Sequence, residues 1–429
     1  MPLTFPGPGA YAVGGGTLIM AGICGRLVLE ICCVRCFLQV KDRLTIKIEK
    51  IAFGGEGVGR INNFVLFVPF AAPEDELEIE ITECKKKFAR GRILKIMKAS
   101  PWRVNPLCTY YESCGGCCYQ HIYYEQQLKI KEQQVAESFT KIGKITNPPV
   151  LEITASPAIY HYRGKAQYHQ RQSSGGLKLG FLDISGGKVV DIERCEIMEE
   201  TINEKISKLR STAVQCSKKE ARLTLWSDLP HEHAREKGQI KRIVKGKEFL
   251  VPAEGFFQNN LLLTDALVDE VCRLALSGRL ETLVDAYCGC GLFSIFLAPL
   301  AQKVIGIELN EKAVKSALSN AEKANQKNIK FICGDVAAEL LNKKNMLPQS
   351  GSIDLLILDP PRIGCSASVL RAIALLQPQR LIYVACNPAT QARDVRLLSE
   401  FGYKLISLLP MDMFPQTQHV EIVGLLVRQ

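Results

Sequence analysis

The chain has 429 residues, 47% hydrophobic and 23% charged, which suits two or three globular domains and excludes a largely disordered polymer. Fifty-four basic residues against 44 acidic ones leave a net charge of +10, which fits a polyanionic partner, nucleic acid first, and equally a merely basic surface. Seventeen cysteines, an odd number in a long chain, exclude the disulfide framework of a small secreted domain and point to a reducing, cytoplasmic compartment.

Residues 1–40 stand apart. Gly14 to Val40 is largely apolar and holds Cys24, Cys32, Cys33 and Cys36. No basic residue precedes the apolar run, as a signal peptide requires. Arg26, Glu30 and Arg35 interrupt it, whereas a membrane span needs about 20 clean apolar residues. The expectation is an extension foreign to the working protein, which starts near Lys41; a membrane anchor is the other reading.

Residues 41–98 predict a small β domain. Leu44 to Ile51 alternates, FGGEGVGR gives a glycine-rich turn, FVLFVPF is a second strand and ELEIEITE a third. Short strands of this kind suggest a five-stranded OB-like barrel. KKKFARGRILKIMK then carries seven basic residues and no acid, with Phe88 inside the run. That pattern predicts a surface that tracks or stacks on nucleic acid, against the plainer reading of a charged edge strand.

Residues 99–248 form a middle region. After a cysteine-rich opening, Tyr124 to Lys141 reads as a polar helix. YHYRGKAQYHQRQ, LKLGFLD and KVVDIERC then read as antiparallel strands joined by Ser-Gly and Gly-Gly turns. His169, Gln170 and Arg171 give one of these strands a candidate working face.

Residues 249–429 alternate strand and helix. LETLVDAYCGCG, KVIGIELN, IKFICGD, IDLLILDPPR and RLIYVACNP are strands ending in polar or small residues, separated by helical patterns such as EKAVKSALSNAEKAN. The expected fold is a doubly wound, Rossmann-like α/β sheet, whose ligands bind outside the carboxyl ends of the strands.

The strand ends carry the chemistry. Asp285-Ala-Tyr-Cys-Gly-Cys-Gly291 is a glycine loop opening a helix, and Glu308 closes the next strand, where an acid accepts the ribose hydroxyls of an adenosine. That pair fits a nicotinamide cofactor or S-adenosylmethionine. Asp335 closes a third strand within reach of an adenine edge. Asp359 opens Asp-Pro-Pro-Arg, a φ-restricted turn suited to holding a planar base near a methyl group, which favours S-adenosylmethionine. Cys386, in YVACNPAT, presents a thiol at the same edge. C5 of uracil is too weak a nucleophile to attack a sulfonium methyl, and adding a thiolate to C6 makes it an enolate carbon. The C5 proton then needs a base, and Glu421 in HVEIVGLL is the candidate.

Asp-Pro-Pro-Arg, YVACNPAT and HVEIVGLL, in this order behind the glycine loop, resemble the RNA (uracil-5-)-methyltransferase family in its ribosomal-RNA branch, from about Lys41 onward. The resemblance implies an S-adenosylmethionine-dependent enzyme that methylates uridine C5 in RNA, 23S rRNA rather than tRNA, with an RNA-binding TRAM domain at residues 41–98. It implies that Gln258, Tyr287, Glu308 and Asp359 bind the cofactor, that Cys386 is the nucleophile and that Glu421 is the base. Leu292 departs from relatives that carry a polar residue there. Cys108, Cys114 and Cys117, with Cys195 downstream, suit zinc or an iron–sulfur cluster by spacing, and the resemblance implies a 4Fe-4S cluster; Cys118 is the alternative ligand. A catalytically inactive RNA-binding protein is the competing class, and Cys386, Glu421 and Asp359 argue against it.

Overall fold

The computed structural model describes residues 38–173, 176–211, 220–228, 234–276, 278–342 and 352–429. The expected extension therefore lies outside the described residues except for its last three. Among the described residues no helix is long and apolar enough to cross a membrane.

The first unit is a six-stranded sheet: β1 (Arg43–Lys47), β2 (Lys50–Ile51), β3 (Gly57–Ile61), β4 (Phe64–Val68), β5 (Glu76–Cys84) and β6 (Phe88–Lys98), in the order β1-β5-β6-β4-β3-β2. Only Ile48 and Glu49 separate β1 from β2, so one bent segment pairs with β5 at one edge and with β3 at the other, closing the sheet into a barrel. Alternation builds its interior: Leu77, Ile79 and Ile81 point in, and Glu76, Glu78 and Glu80 do not. Half of the glycine-rich stretch is strand rather than turn, paired with β4, and Gly59 is required there because a Cβ would come within 2.5 Å of the Lys47 carbonyl.

The basic run is partly consumed by the barrel itself. Arg90 pairs with Glu56 and Glu83, and Arg92 with Glu80. Phe88 meets Phe67 edge-on at 5.5 Å and lies under the Arg90 guanidinium. It is half-buried, so it is a packing residue and not the open stacking platform that its place in the run suggested. Lys86, Lys87, Lys95 and Lys98 remain exposed.

α1 (Tyr124–Lys141) has the expected bounds, but its polar character is deceptive. It buries Gln127, Lys131 and Gln134 together with Ile130, Val135 and Phe139. Ile130 packs in the barrel core, while Val135 and Phe139 pack in the core of the C-terminal sheet. Gln134 donates to the carbonyls of Ile51 and Ala52, and Lys50 pairs with Glu137, fixing the barrel to the helix.

The middle sheet is antiparallel, built from β7 (Lys165–Ser173), β8 (Gly176–Leu182), β9 (Val189–Asp191), β10 (Glu220–Ser227) and β11 (Ala234–Arg235), in the order β11-β10-β7-β8-β9. α2 (Glu200–Ser211) covers one face through Ile202 and Ile206. A hairpin follows, β12 (Gln239–Val244) with β13 (Lys247–Pro252), and its Ile240, Val244, Phe249 and Val251 enter the same core as α3 (Leu261–Ala275).

The C-terminal unit is the expected doubly wound α/β fold. Its elements are β14 (Leu280–Ala286), α4 (Leu292–Leu297), β15 (Ala301–Glu308), α5 (Glu311–Lys323), β16 (Ile329–Cys333), α6 (Val336–Leu341), β17 (Leu355–Leu358), α7 (Ala367–Leu376), β18 (Arg380–Ala385), α8 (Pro388–Glu400), β19 (Tyr403–Met411) and β20 (Glu421–Arg428). The strand order is β16-β15-β14-β17-β18-β20-β19. The chain leaves the centre in one direction from β14 and in the other from β17, so the crevice between their ends is the topological switch point. The sheet is parallel except for β20, which lies antiparallel between β18 and β19.

Candidate active site

The cofactor end is built on β14 and β15. Asp285, the buried penultimate residue of β14, accepts from the backbone N of Ser294 (2.9 Å) and its Oγ (2.6 Å), pinning the start of α4 to the strand. The intervening loop turns on three positive φ angles, Tyr287 at 66°, Gly289 at 55° and Gly291 at 87°. For Tyr287, with its Cβ, this costs roughly 1–2 kcal/mol. Gly291 is required sterically as well, since a Cβ would come within 3.0 Å of the Phe331 ring. Glu308, the last residue of β15, accepts from Gly289 N (3.1 Å) and Asn310 N (2.7 Å), joining the two strand ends. Asp335 caps α6 through Ala338 N at 3.0 Å while also lining the crevice. Gln258 arrives from the segment between β13 and α3 and is buried.

The second end is built on β17, β18 and β20. Asp359 follows β17, and Cys386 follows β18. Asn387 caps α8, accepting from Ala389 N, and its Nδ2 donates to the Arg362 carbonyl at 3.4 Å. Thr390 Oγ1 donates to the same carbonyl at 3.3 Å, so the Asp-Pro-Pro-Arg turn and the cysteine turn form one unit. β20 runs the other way, and Ile422 pairs with Ala385. Its first residue, Glu421, therefore arrives where β18 ends, next to Cys386.

Burial governs the electrostatics here. The Cys386 thiol is pushed up to about 11, mainly by burial and then by Glu421 and Asp359, with the Arg362 guanidinium opposing. Burial, reinforced by Asp359, raises Glu421 well above the usual carboxylate range. Asp359 rises to about 7 through burial and Asp285, and Asp285 reaches about 7 through burial against its Ser294 bonds. His419 falls to about 4 because it is buried near Arg362, Lys131 and Arg163, so its ring is neutral. Its Nε2 lies 3.5 Å from Arg362 Nη2, which can only donate; the imidazole proton belongs on Nδ1.

Cys386, Glu421, Gln258, Tyr287, Glu308 and Asp359 all line one cleft of about 910 Å³. So do Cys108, Cys114, Cys117 and Cys195, at the end walled by the middle sheet. Of the expected working face of β7, His169 lines the cleft together with Gln167; Gln170 points to the opposite face, and Arg171, on the same face as His169, lies outside the cleft lining. Arg362 and His419 also line the cleft, inside the Asp-Pro-Pro-Arg and HVEIVGLL motifs, and so does Arg163, which carries no local sequence signal.

The four thiols are free, and each is raised mainly by burial, Cys117 also by Cys195 and Cys114, and Cys195 also by Cys114 and Cys108. Three of their backbones are fixed by hydrogen bonds: Cys108 N donates to Gln120 Oε1, Cys114 N donates to the Tyr110 carbonyl, and Cys195 exchanges two hydrogen bonds with the Asn203 side chain. Among the described residues no group of three or more His, Cys, Asp or Glu side chains is arranged to hold a metal ion. Cys118 lies elsewhere. It packs half-buried against Gly55 of the barrel, where a Cβ would come within 2.8 Å of its sulfur, and it does not line the cleft as an alternative ligand would.

Residues 235–429 match the family model described as tRNA (Uracil-5-)-methyltransferase, and residues 38–94 match the TRAM domain. An RNA methyltransferase of Halalkalibacterium halodurans, named as uncharacterized, is 30% identical over 90% of this chain and 97% of its own. One from Bacillus cereus is 32% identical over 91% and 98%. The chain belongs to the RNA (uracil-5-)-methyltransferase family. The crystal structure of Pyrococcus abyssi tRNA (uracil-54, C5)-methyltransferase with S-adenosyl-L-homocysteine shares the fold, with a TM-score of 0.68 at 24% identity over 90% of this chain and all of that one. The family's methyltransferase fold and TRAM domain are thus both present, as the motifs implied.

A thiol held near 11 predicts slow alkylation of the RNA-free enzyme by iodoacetamide. The rate at Cys386, followed on its peptide by mass spectrometry, should climb about tenfold per pH unit from 7 to 10. Arg362→Ala removes a cation that lowers this thiol and should slow alkylation further. A plateau below pH 9, or faster alkylation of the variant, contradicts the electrostatic picture.

Proposed function

We propose that the enzyme methylates C5 of a uridine in RNA, ribosomal RNA in preference to tRNA, with Cys386 as covalent nucleophile and Glu421 as base. The observation that carries this reading is the meeting of Cys386, Asp359 and Glu421 in one cleft with the Tyr287–Gly291 loop and Glu308. A thiol between two high-pKa carboxylates beside a cofactor loop suits addition to a ring carbon followed by proton removal.

The residues suit S-adenosylmethionine. The positive-φ loop admits a close ligand, Glu308 ends β15 where a ribose would lie, and Gln258 and Tyr287 line the same end. When bound there, S-adenosylmethionine supplies an electrophilic methyl group. The Cys386 thiol releases its proton to water, Sγ adds to C6 of the target, and the C5=C6 electron pair moves toward O4, leaving C5 nucleophilic. Asp359 holds the base between the nucleophile and the methyl donor. Once C5 carries the methyl group, Glu421 removes the C5 proton, the C5=C6 bond re-forms and the Sγ–C6 bond breaks, returning Cys386 as thiolate. A carboxylate raised by burial is a stronger base when ionised, which suits it to a carbon acid. The target base must leave its stack to enter this cleft. The barrel's exposed Lys86, Lys87, Lys95 and Lys98 suit the RNA backbone.

Cys108, Cys114, Cys117 and Cys195 are proposed to hold a 4Fe-4S cluster. Four half-buried free thiols around one end of a cleft are the residues that would hold such a cluster. The preference for ribosomal RNA rests on this cysteine set. Protein purified without oxygen should carry about four iron atoms per chain, and Cys114→Ser should abolish them. Stoichiometric zinc without iron would contradict the assignment.

The covalent step is tested with RNA containing 5-fluorouridine, because fluorine cannot leave as a cation. Wild type with S-adenosylmethionine should give a band of protein joined to RNA on a denaturing gel. Cys386→Ala should give neither band nor methylated product, and Glu421→Gln should give the band with ordinary RNA. Normal methylation by Cys386→Ala would overturn the mechanism.

A further inference from the structure

Glu421 depends on the residues that precede it. Asp412 to Val420 connects β19 to β20, and side chains and backbone from outside the catalytic sheet hold much of it. Lys131 Nζ on α1, wholly buried, donates to Asp412 Oδ1 at 2.6 Å and to the Phe414 carbonyl at 3.0 Å. Gln127 on the same helix donates to Gln416 Oε1 at 3.0 Å and accepts from Gln416 N at 3.1 Å. The backbone N–H groups of Cys118 and Tyr119 both donate to the Gln416 carbonyl, and Tyr162 Oη donates to that of Pro415.

The held residue is strained. Gln416 has φ +68° and is buried, a conformation that L side chains rarely adopt. Such a residue persists only where its surroundings over-determine it, and here four hydrogen bonds from α1 and residues 118–119 do so. The cysteine turn, by contrast, is fixed within its own unit by Asn387 and Thr390. Loosening the connection therefore acts on the start of β20, where Glu421 pairs with Met411, and leaves the turn of the nucleophile untouched.

We infer that Lys131 and Gln127 are positioning residues for Glu421, acting on proton removal rather than on thiol addition. The inference rests on the covalent reading above. Because α1 also holds the barrel through Gln134 and the Lys50–Glu137 pair, the helix that docks the TRAM domain sets the place of the base.

The test uses full-length protein, S-adenosylmethionine labelled in the methyl group, and unmodified 23S rRNA transcribed in vitro, or a tRNA transcript if wild type prefers it. Reactions are quenched in detergent and digested with ribonuclease, and label running with the protein on a denaturing gel reports methylated adduct. Gln127→Ala leaves no buried charge behind. The double variant Lys131→Met with Asp412→Asn removes both charges of the pair, avoiding a stranded ion. Both should slow turnover about tenfold or more while methylated adduct accumulates, with KM for S-adenosylmethionine unchanged. Product and adduct falling together would make the contacts merely structural, and wild-type kinetics would make them irrelevant; either overturns the inference. Folding is checked by thermal melting, and if one variant fails to fold, the other decides. If wild type forms no adduct with 5-fluorouridine RNA, the covalent reading has failed instead.

Discussion

The active site depends on one reversal of direction. In a parallel sheet every strand delivers its last residue to the same edge, which is how Asp285, Glu308, Asp359 and Cys386 come together. A residue that opens a strand reaches that edge only if the strand runs backwards. β20 does so, and Glu421 is its first residue. The reversal needs a connection from β19 that stays at the active edge, and that connection is irregular, partly strained and braced from outside by α1. Sheet pairing with Met411 holds the backbone of the base, and the braced connection holds the residues that lead into it.

Burial gives these groups their chemistry. Two carboxyl groups, Asp359 and Glu421, and the Cys386 thiol share a desolvated crevice with the Arg362 cation, so burial disfavours charge on each of them. The arrangement is poor for stability, since protonated acids and a protonated thiol gain little from folding at neutral pH. It suits an enzyme that must make a thiolate and a carboxylate transiently, once RNA and cofactor have replaced water in the cleft.

Much of this was legible in the sequence, because strand-end positions in a doubly wound fold are visible wherever an apolar run stops at a polar residue. Glu308, Asp335, Asp359 and Cys386 were found that way, and α1 was found with its correct ends. Glu421 was placed by chemical need and by resemblance, since nothing in HVEIVGLL reveals strand direction. The burial of Gln127 and Lys131 was also hidden: their partners Gln416 and Asp412 lie 289 and 281 residues away. Phe88 and Cys118 misled for a related reason. Each sits in a run suggesting one role, yet Phe88 packs on Phe67 and Cys118 turns toward Gly55, away from its neighbour Cys117.

The central claim is that the methyl group goes to a carbon that must lose a proton, through addition of Cys386. RNA carrying tritium at C5 of its uridines tests this most directly. With S-adenosylmethionine, wild type should release tritium to water in a one-to-one ratio with methyl groups transferred, and Cys386→Ala should release none. Methyl transfer with the tritium retained would place the methyl on another atom and contradict the account.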